Sequence, residues 1–265
     1  MAAPSLPLSV LVTGAAGGLG KVIAEAYLDA GASVAICDVN QDRLSETSAL
    51  WTQKYADRFI IRQADVSSLQ DMEGLVQAIT SKFGRLDILI NNAAILDKFD
   101  PVGTCPPELW NKVLQVNLTG SFISTKVAVN AMASQLPPGG TIIQMGSNAS
   151  VCGIDGGLAY TVSKHGALAL MRNTAAFYLD QNITCTMLQL GGLSKTNIQD
   201  SMAEGVNEEG LALLGKHIPG FEYGSTDVPL EDVAKFCLFL TTDRSVAKTM
   251  NGALVPFNRN WPAGI

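Results

Sequence analysis

A tyrosine and a lysine, Tyr160 and Lys164, stand four positions apart in the segment GGLAYTVSKHGAL. If the segment is helical, the two side chains share one helical face. A free tyrosine has a pKa of about 10, and a nearby ammonium lowers that pKa because it favours the phenolate. Such a phenol can exchange a proton with an alcohol or carbonyl oxygen while hydride moves to or from carbon. By itself, the same spacing is also typical of a surface pair.

Two polar residues upstream are candidates for the same site. Ser147 ends a predicted strand, and its hydroxyl could bind the substrate oxygen and stabilise charge there. Asn117 falls inside a predicted helix, where asparagine is locally unfavourable, so a side-chain or water-mediated link to Lys164 would account for it. The alternatives are a turn or cap for Ser147 and a hydrogen-bonded buried amide for Asn117.

The loop TGAAGGLG follows the first predicted strand and opens the first predicted helix, with Leu19 between its last two glycines. Gly14, Gly18 and Gly20 would let the backbone approach a pyrophosphate closely. The free N–H groups at the helix N-terminus attract the charge of that group. The loop therefore predicts a dinucleotide site, and the alternative is a glycine-rich turn without a ligand.

Asp38 ends the second predicted strand. A carboxylate there can accept hydrogen bonds from both hydroxyls of an adenosine ribose, and it repels a 2′-phosphate. Its neighbours Val39 and Asn40 are uncharged, and the nearest cation, Arg43, falls on the next predicted helix. These residues favour NAD over NADP, unless Asp38 is a solvated loop acid.

Strands and helices must alternate to position these residues. We predict strands at 8–14, 33–38, 58–66, 86–93, 141–147, 183–190 and 252–255. We predict helices at 19–30, 41–56, 69–83, 107–135, 157–181 and 230–242, with residues 191–228 irregular. Continuous apolar strands between helices indicate a doubly wound parallel sheet, a Rossmann-like α/β fold of about seven strands with helices on both faces. Since no linker-like stretch interrupts the pattern, residues 1–265 are expected to form a single domain.

Composition excludes several functional classes. The 265 residues carry a net charge of −6 without a basic run, which argues against a nucleic-acid partner. With five cysteines in no C-x-x-C pair and two histidines, no metal site is expected. We find no targeting signal and no apolar stretch of about 20 residues, so we expect a cytoplasmic protein without a membrane partner.

From Ser9 to Val255 the chain resembles the short-chain dehydrogenase/reductase family in its compact form. TGAAGGLG resembles the family's T-G-x-x-x-G-x-G cofactor loop, and NNAA at 91–94 resembles its N-N-A-G motif, with Asn92 near the cofactor. ADV at 64–66 is similar to the segment that borders the adenine, here Asp65 and Val66. The residues that match the family's catalytic set are Asn117, Ser147, Tyr160 and Lys164.

The resemblance implies an oxidoreductase that transfers hydride between a nicotinamide cofactor and a secondary alcohol or ketone. Tyr160 would be the acid/base, and Lys164 would lower its pKa and hold the nicotinamide ribose. Ser147 would polarise the substrate oxygen, and Asn117 would hold a water in a proton relay. The family also implies a homo-oligomer, a tetramer or dimer, built on the helices predicted at 107–135 and 157–181.

The chain departs from the family pattern after the sixth strand. GGLSKT at 191–196 has Gly191 where the family has proline, which removes a fixed φ, while Thr196 is kept and is expected to contact the nicotinamide carboxamide or a phosphate. Residues 194–225 are expected to form a substrate lid. Two other functions stay open: an NAD(H)-binding regulator or scaffold without turnover, and a dehydratase or isomerase on the same fold.

Overall fold

The computed structural model describes residues 7–203, 205–217 and 227–259. Within them one parallel sheet has the strand order β3-β2-β1-β4-β5-β6-β7. Its strands are β1 Ser9–Thr13, β2 Ser33–Asp38, β3 Phe59–Gln63, β4 Ile88–Asn91, β5 Gly140–Met145, β6 Ile183–Leu190 and β7 Leu254–Phe257. The predicted doubly wound parallel α/β fold, Rossmann-like with seven strands, is confirmed.

Helices cover both faces of the sheet. They are α1 Gly18–Asp29, α2 Gln41–Tyr55, α3 Leu69–Phe83, α4 Pro107–Leu114, α5 Ser121–Ser134, α6 Leu158–Phe177, α7 Glu208–His217, α8 Leu230–Thr242 and α9 Arg244–Thr249. Val10 and Val12 of β1 belong to the core under α1, α2 and α8, and Leu11 belongs to the core under α3, α5 and α6. This alternation is why the strands are apolar throughout. None of the described helices is long and apolar enough to cross a membrane.

The strand order reverses beside β1, whose two neighbours are β2 and β4. The chain first runs outward through β2 and β3, then returns to β4 and runs outward on the other side. In open α/β sheets, ligands bind beyond the carboxyl ends of the strands at such a switch point. The carboxyl ends of β1, β2, β4 and β5 and the loops that follow them therefore meet at this place. They carry four of the residues singled out in the sequence, Gly14, Asp38, Asn92 and Ser147.

Two predicted boundaries differ in ways that bear on the site. The helix predicted at 107–135 is divided, because a π-helical turn at Gln115–Gly120 joins α4 to α5. Such turns contain one extra residue and are frequent at functional sites. Asn117 lies in this turn. The helix predicted at 157–181 ends at Phe177 and is followed by a 3-10 turn at Leu179–Gln181.

The prediction that residues 191–228 are irregular was wrong. The segment contains a 3-10 helix at Asn197–Met202 and the helix α7. Two glycines, Gly210 and Gly215, give the α7 sequence a low intrinsic helix propensity. Contacts with distant residues stabilise it instead, since the amide of Asn207 donates to the carbonyl of Lys98 at its N-terminus. The last strand also lies at 254–257 rather than 252–255.

Candidate active site

The loop between β1 and α1 requires its glycines. Gly14 has a φ of 61°, and a Cβ at this position would lie 2.7 Å from the Cα of Ala93. A Cβ on Gly20 would lie 2.5 Å from the carbonyl oxygen of Gly14, and Gly18 has a φ of 53°. Gly17, the N-cap of α1, has no side chain that could cap the helix. The backbone therefore presents the N-terminus of α1 as a site for an anion.

The NNAA motif fastens β4 to this loop. The Thr13 hydroxyl accepts the backbone N–H groups of Asn92 and Ala93, each at 3.1 Å. The Asn92 side chain donates to the carbonyls of Thr13 and Gly14 at 3.0 and 2.9 Å. The Asn92 amide nitrogen is thus engaged in shaping the glycine loop from behind. Leu19 of the loop is buried beneath it.

Asp38 lies beside the same loop. One carboxylate oxygen accepts the N–H of Ala16 at 3.1 Å and the other accepts the N–H of Asn40 at 3.0 Å. Arg43 is on α2, as predicted, and its guanidinium forms an ion pair of 2.7 Å with Asp200 in the 3-10 helix at 197–202. The nearest cation is therefore neutralised by a carboxylate of the chain itself.

Asp65 and Val66 follow β3 at the same end of the sheet. The Asp65 carboxylate is exposed and accepts the amide and hydroxyl of Ser67 at 2.8 Å. Val66 is buried, and a Cβ on Gly120 of the π turn would lie 2.6 Å from its Cγ2. Val66 therefore packs against the turn that contains Asn117.

Thr196 lies where the chain passes over the glycine loop. A Cβ on Gly18 would lie 3.2 Å from the Thr196 Cα and 3.2 Å from the Asn197 nitrogen. The Thr196 hydroxyl is buried and has no hydrogen-bond partner among the described residues. A buried hydroxyl without a partner is costly, so a ligand that bonds to it would bind favourably.

Tyr160 and Lys164 lie side by side in the first turns of α6, as predicted. Both are buried, with 7% and 6% of their surface exposed. The Lys164 Nζ lies 5.4 Å from the centroid of the Tyr160 ring and donates to the Met145 carbonyl of β5 at 3.0 Å. Burial of the ammonium lowers the pKa of Lys164 to about 8.

The charges around Tyr160 differ from the sequence-based expectation. Burial raises the pKa of its phenol well above the ordinary value, the Ser147 hydroxyl lowers that pKa, and the carboxylates of Asp155 and Asp97 raise it. Lys164 is not among these causes. The net shift is upward because burial and two carboxylates dominate, and the expected lowering by Lys164 stays a prediction. Burial also raises the pKa of Asp155 to about 6, against the Ala149 amide and the Ser147 hydroxyl, which lower it.

Ser147 is both a cap and a neighbour of Tyr160. It is the N-cap of the 3-10 turn at Asn148–Ser150, and its hydroxyl oxygen accepts the Ala149 N–H at 3.1 Å. The oxygen of this hydroxyl is thus used by the turn, while its proton can be donated to a third group. Ser147 is therefore the cap that we considered as an alternative, and it also lies beside the Tyr160 phenol.

Asn117 is tied to the chain on both sides. Its side-chain oxygen accepts the Ile95 N–H at 2.8 Å, and its amide nitrogen donates to the Ile95 carbonyl at 2.9 Å and to the Ser163 hydroxyl at 3.1 Å. Ser163 precedes Lys164 on α6, so the Asn117 side chain is bonded to α6 but not to the Lys164 ammonium. The Asn117 side chain is therefore the hydrogen-bonded buried amide that we considered as an alternative. A water relay through Asn117 stays a prediction.

Sequence reasoning missed Asp97, whose carboxylate binds the backbone of α6 next to Tyr160. The two bonded groups, Asp97 and Gly157, are 60 positions apart, so no local spacing points to the contact. His165, by contrast, is exposed and hydrogen-bonds to the Thr161 carbonyl. Across the described residues, no group of three histidine, cysteine or acidic side chains could hold a metal ion.

The buried ammonium makes stability depend on pH. Because burial lowers the Lys164 pKa from 10.5 to about 8, the unfolded chain binds more protons between these two values and stability rises with pH there. Below about pH 8 the folded protein carries the full free-energy cost of the buried Lys164 charge, about 3 kcal/mol. We expect Lys164→Met to raise the free energy of unfolding near neutral pH by about 1–3 kcal/mol and to remove part of the rise in alkali. Urea unfolding at several pH values measures both.

Lys82→Met is the matched control, since Lys82 also donates to a backbone carbonyl, that of Phe59, but is exposed. It should leave the pH dependence of unfolding unchanged. Equal behaviour of the two variants would contradict the assignment of a costly buried charge to Lys164.

Comparison with known proteins agrees with this geometry. The sequence profile of the family described as short chain dehydrogenase matches residues 9–207. The short chain dehydrogenase/reductase dpfgG of Gibberella zeae is 41% identical over 254 residues, covering 95% of this chain and 92% of that protein. The 3beta-hydroxysteroid dehydrogenase 2 of Eggerthella lenta is 31% identical over 255 residues, covering 96% and 95%. The crystal structure of levodione reductase superposes with a TM-score of 0.83 at 26% identity, covering 98% of this chain and 100% of that one. The chain is therefore an oxidoreductase of the short-chain dehydrogenase/reductase family.

Proposed function

We propose that this protein transfers hydride between NAD and a secondary alcohol or ketone. The observation that carries the proposal is the buried pair of Tyr160 and Lys164, which lies beside Ser147 at the carboxyl end of β5. This cluster stands one strand away from β4, which is fastened to the glycine loop. A proton-exchanging group and a phosphate cradle on neighbouring strands suit a reaction in which proton and hydride move together.

The residues of the cleft fit a dinucleotide. The N-terminus of α1, whose N-cap Gly17 has no side chain, would suit a pyrophosphate. Asp38 would stand at the adenosine side, where Asp65 and Val66 follow the next strand. The Thr196 hydroxyl, which is buried and has no hydrogen-bond partner within residues 7–203, 205–217 and 227–259, would bind the nicotinamide carboxamide or a phosphate. When bound, the nicotinamide would supply or accept the hydride. Lys164 would hold its ribose hydroxyls.

NAD is favoured over NADP by the charges near the ribose. Asp38 keeps acceptor capacity on both oxygens after its two backbone bonds, and it would repel a 2′-phosphate. Arg43, the cation that could attract such a phosphate, is paired with Asp200. The Asp38 carboxylate and the pairing of Arg43 with Asp200 therefore both favour NAD over NADP.

Tyr160 would exchange the proton in either direction. Its raised pKa keeps the phenol protonated at neutral pH, so that it can donate to a carbonyl oxygen during reduction. For alcohol oxidation the phenol must lose its proton, and positive charge brought close to the ring favours that loss. Ser147 would orient the substrate oxygen with its remaining proton, and Asn117 would hold the water of a relay toward Lys164.

Relatives support the substrate class. The names hydroxysteroid dehydrogenase and levodione reductase denote enzymes that act on hydroxyl or ketone groups. Asp155 lies in the loop after β5, and its pKa is raised to about 6 mainly by burial. A substrate oxygen bound to Ser147 would therefore lie near an ionisable carboxyl group. We infer a small-molecule alcohol or ketone as the substrate.

We further propose that residues 1–265 act as one domain in which residues 194–225 form a lid. The base of this segment is closed, since the Val228 amide donates to the Gly192 carbonyl and Ser194 bonds to Asp227. Farther along, the Ser201 hydroxyl accepts the Leu96 amide at 3.3 Å. Residues 204 and 218–225 of the proposed lid lie outside the described residues.

We propose a cytoplasmic homo-oligomer, a tetramer or a dimer. All five cysteines are free thiols, as a reducing compartment would keep them. α5 and α6, which would form the subunit contact, expose Phe122 and Phe177 with 48% and 73% of their surface accessible. Light scattering should give a mass of two or four chains, and a monomer at micromolar concentration would contradict this part of the proposal.

Removal of the phenol tests the reaction. Tyr160→Phe should lower kcat by about 100-fold to 10,000-fold, because the proton donor is lost while the ring remains. The measurement is the absorbance of reduced nicotinamide with a panel of alcohols and ketones. Tyr178→Phe, the same change just beyond the other end of α6, should keep full activity. Full activity of Tyr160→Phe would reject the assigned chemistry, and tight NADH binding without turnover of any substrate would favour a regulator or scaffold.

Removal of the ribose carboxylate tests the cofactor. Asp38→Asn should raise KM for NAD by about tenfold or more, since a charged acceptor for the ribose hydroxyls is lost, and it should narrow the preference for NAD over NADP. Asp42→Asn, a matched change of an exposed acid in the first turn of α2, should alter neither. Steady-state kinetics with both cofactors decide this, and a wild-type enzyme that prefers NADP would overturn the assignment of NAD.

A further inference from the structure

The carboxylate of Asp97 is bound to the start of the catalytic helix. The side chain is 1% exposed and follows β4 in the loop after the NNAA motif. One oxygen accepts the Gly157 N–H and the other accepts the Tyr160 N–H, each at 2.9 Å. A carboxylate that accepts backbone amides at a helix N-terminus makes charge-assisted bonds and also stabilises the positive end of the helix dipole.

These two bonds replace a capping box that α6 cannot make from its own sequence. In a capping box, the N-cap side chain accepts the N–H of the third helical residue, and the side chain of that residue accepts the N–H of the N-cap. Here the N-cap is Gly157 and the third residue is Tyr160, so neither side chain can serve. Asp97 supplies both acceptors. The Tyr160 side chain therefore does not have to cap the helix, and its ring is available to the site.

The neighbouring residues of the same loop complete the cap. The Leu158 amide donates to the Asp100 carbonyl at 2.9 Å, and the Ala159 amide interacts with the Cys105 thiol. Each of the N–H groups at the start of α6 thus faces an acceptor from residues 97–105. The first turn of the catalytic helix is held by a loop that is distant in sequence, rather than by local capping.

Gly157 and Asp97 also fit each other sterically. A Cβ on Gly157 would lie 2.6 Å from both carboxylate oxygens of Asp97, so only glycine permits this approach. The carboxylate additionally accepts the Phe99 amide at 3.2 Å, and Phe99 has a φ of 64°, which L-residues adopt rarely. The loop is therefore bent toward the helix, and the bent conformation includes a bond to Asp97.

The same loop receives the segment proposed as a lid. The Asn207 amide donates to the Lys98 carbonyl at 2.8 Å, and the Asn207 side chain donates to the Asp100 carboxylate at 2.9 Å. Gly210 of α7 lies against the Phe99 carbonyl. Residues 97–100 thus contact the start of α6 on one side and the start of α7 on the other.

We propose that Asp97 is a positioning residue for the reaction, because its carboxylate fixes the first turn of α6 and with it the place of the Tyr160 phenol. This proposal rests on the proposed function for the part that concerns turnover. Asp97 acts through the backbone, so it is distinct from the residues that would touch the substrate. The Asp97 charge also raises the pKa of the phenol directly, as does that of Asp155 from the loop after β5. The Lys164 ammonium on α6 lies 5.4 Å from the centroid of the same ring.

The test compares Asp97→Asn and Asp97→Ala with Asp87→Asn. Asp87 is also a buried carboxylate that accepts a backbone amide, that of Ser9, but it lies at the opposite end of the sheet. Two readouts separate positioning from general stability: hydrogen exchange of the Gly157 and Tyr160 amides, which needs no turnover, and the pH dependence of kcat.

In Asp97→Asn, exchange of these two amides should accelerate about tenfold or more, since a neutral amide offers a single acceptor. The limiting kcat should fall about tenfold, and KM for NAD should change less, because the glycine loop and Asp38 are untouched. The pH dependence should move to lower pH, since the Asp97 charge raises the pKa of the phenol. Asp97→Ala should show a larger fall in kcat and the same direction of the pH change.

Unchanged exchange in Asp97→Asn, or a kcat and pH dependence that match those of Asp87→Asn, would overturn the proposal. If wild type itself turns over no alcohol or ketone, the proposed function fails, and exchange of the two amides still decides whether Asp97 holds the turn. If Asp97→Ala does not fold, Asp97→Asn carries the test, because it keeps the shape and one acceptor of the side chain.

Discussion

A lysine ammonium held out of water beside a tyrosine ring is the interaction on which the site depends. Transfer of a charge into the interior costs free energy unless hydrogen bonds or opposite charge compensate. The Lys164 ammonium donates to a neutral carbonyl, that of Met145, rather than to a carboxylate. Burial lowers its pKa to about 8. The surrounding fold has to supply the stability that this arrangement lacks, and the apolar cores on both faces of the sheet are its source.

The parallel sheet places the other parts of the site around this pair. Parallel strands end at the same edge of the sheet. The glycine loop, Asp38, Asn92 and Ser147 lie at the ends of four different strands and therefore come together at this edge. Hydrogen bonds between loops then set their relative positions, as Asn92 does for the glycine loop. Two of the hydroxyls at this edge differ in their hydrogen bonds. The Thr13 hydroxyl is bonded to backbone groups, and the Thr196 hydroxyl is buried without a partner in the described chain.

Periodicity was sufficient to predict the fold, whereas the candidate site residues were proposed from motifs and from the resemblance to the family. Apolar strands and amphipathic helices repeat at intervals that are visible in one dimension, and the Tyr160–Lys164 spacing is a property of any α-helix. The π turn at Gln115–Gly120 and the helix α7 escaped prediction, because tertiary contacts rather than local propensity specify them. Asp97 escaped for the same reason: an acid in a loop gives no sign of the helix that it will cap. The raised pKa of the Tyr160 phenol could not be predicted either, since burial depends on the packed structure.

The ion pair between Arg43 and Asp200 joins two regions that a cofactor and a substrate would approach from different sides. Both partners are accessible, with 37% and 59% of their side chains exposed, so the pair contributes about 0.2–1 kcal/mol and weakens as salt increases. A ligand that separates Arg43 from Asp200 would remove the free energy of this pair from the 3-10 helix at 197–202. Displacement of this helix would remove the same free energy from Arg43. Such reciprocity is a thermodynamic requirement. Binding of a ligand beside Arg43 and the conformation of residues 197–202 would therefore be thermodynamically linked.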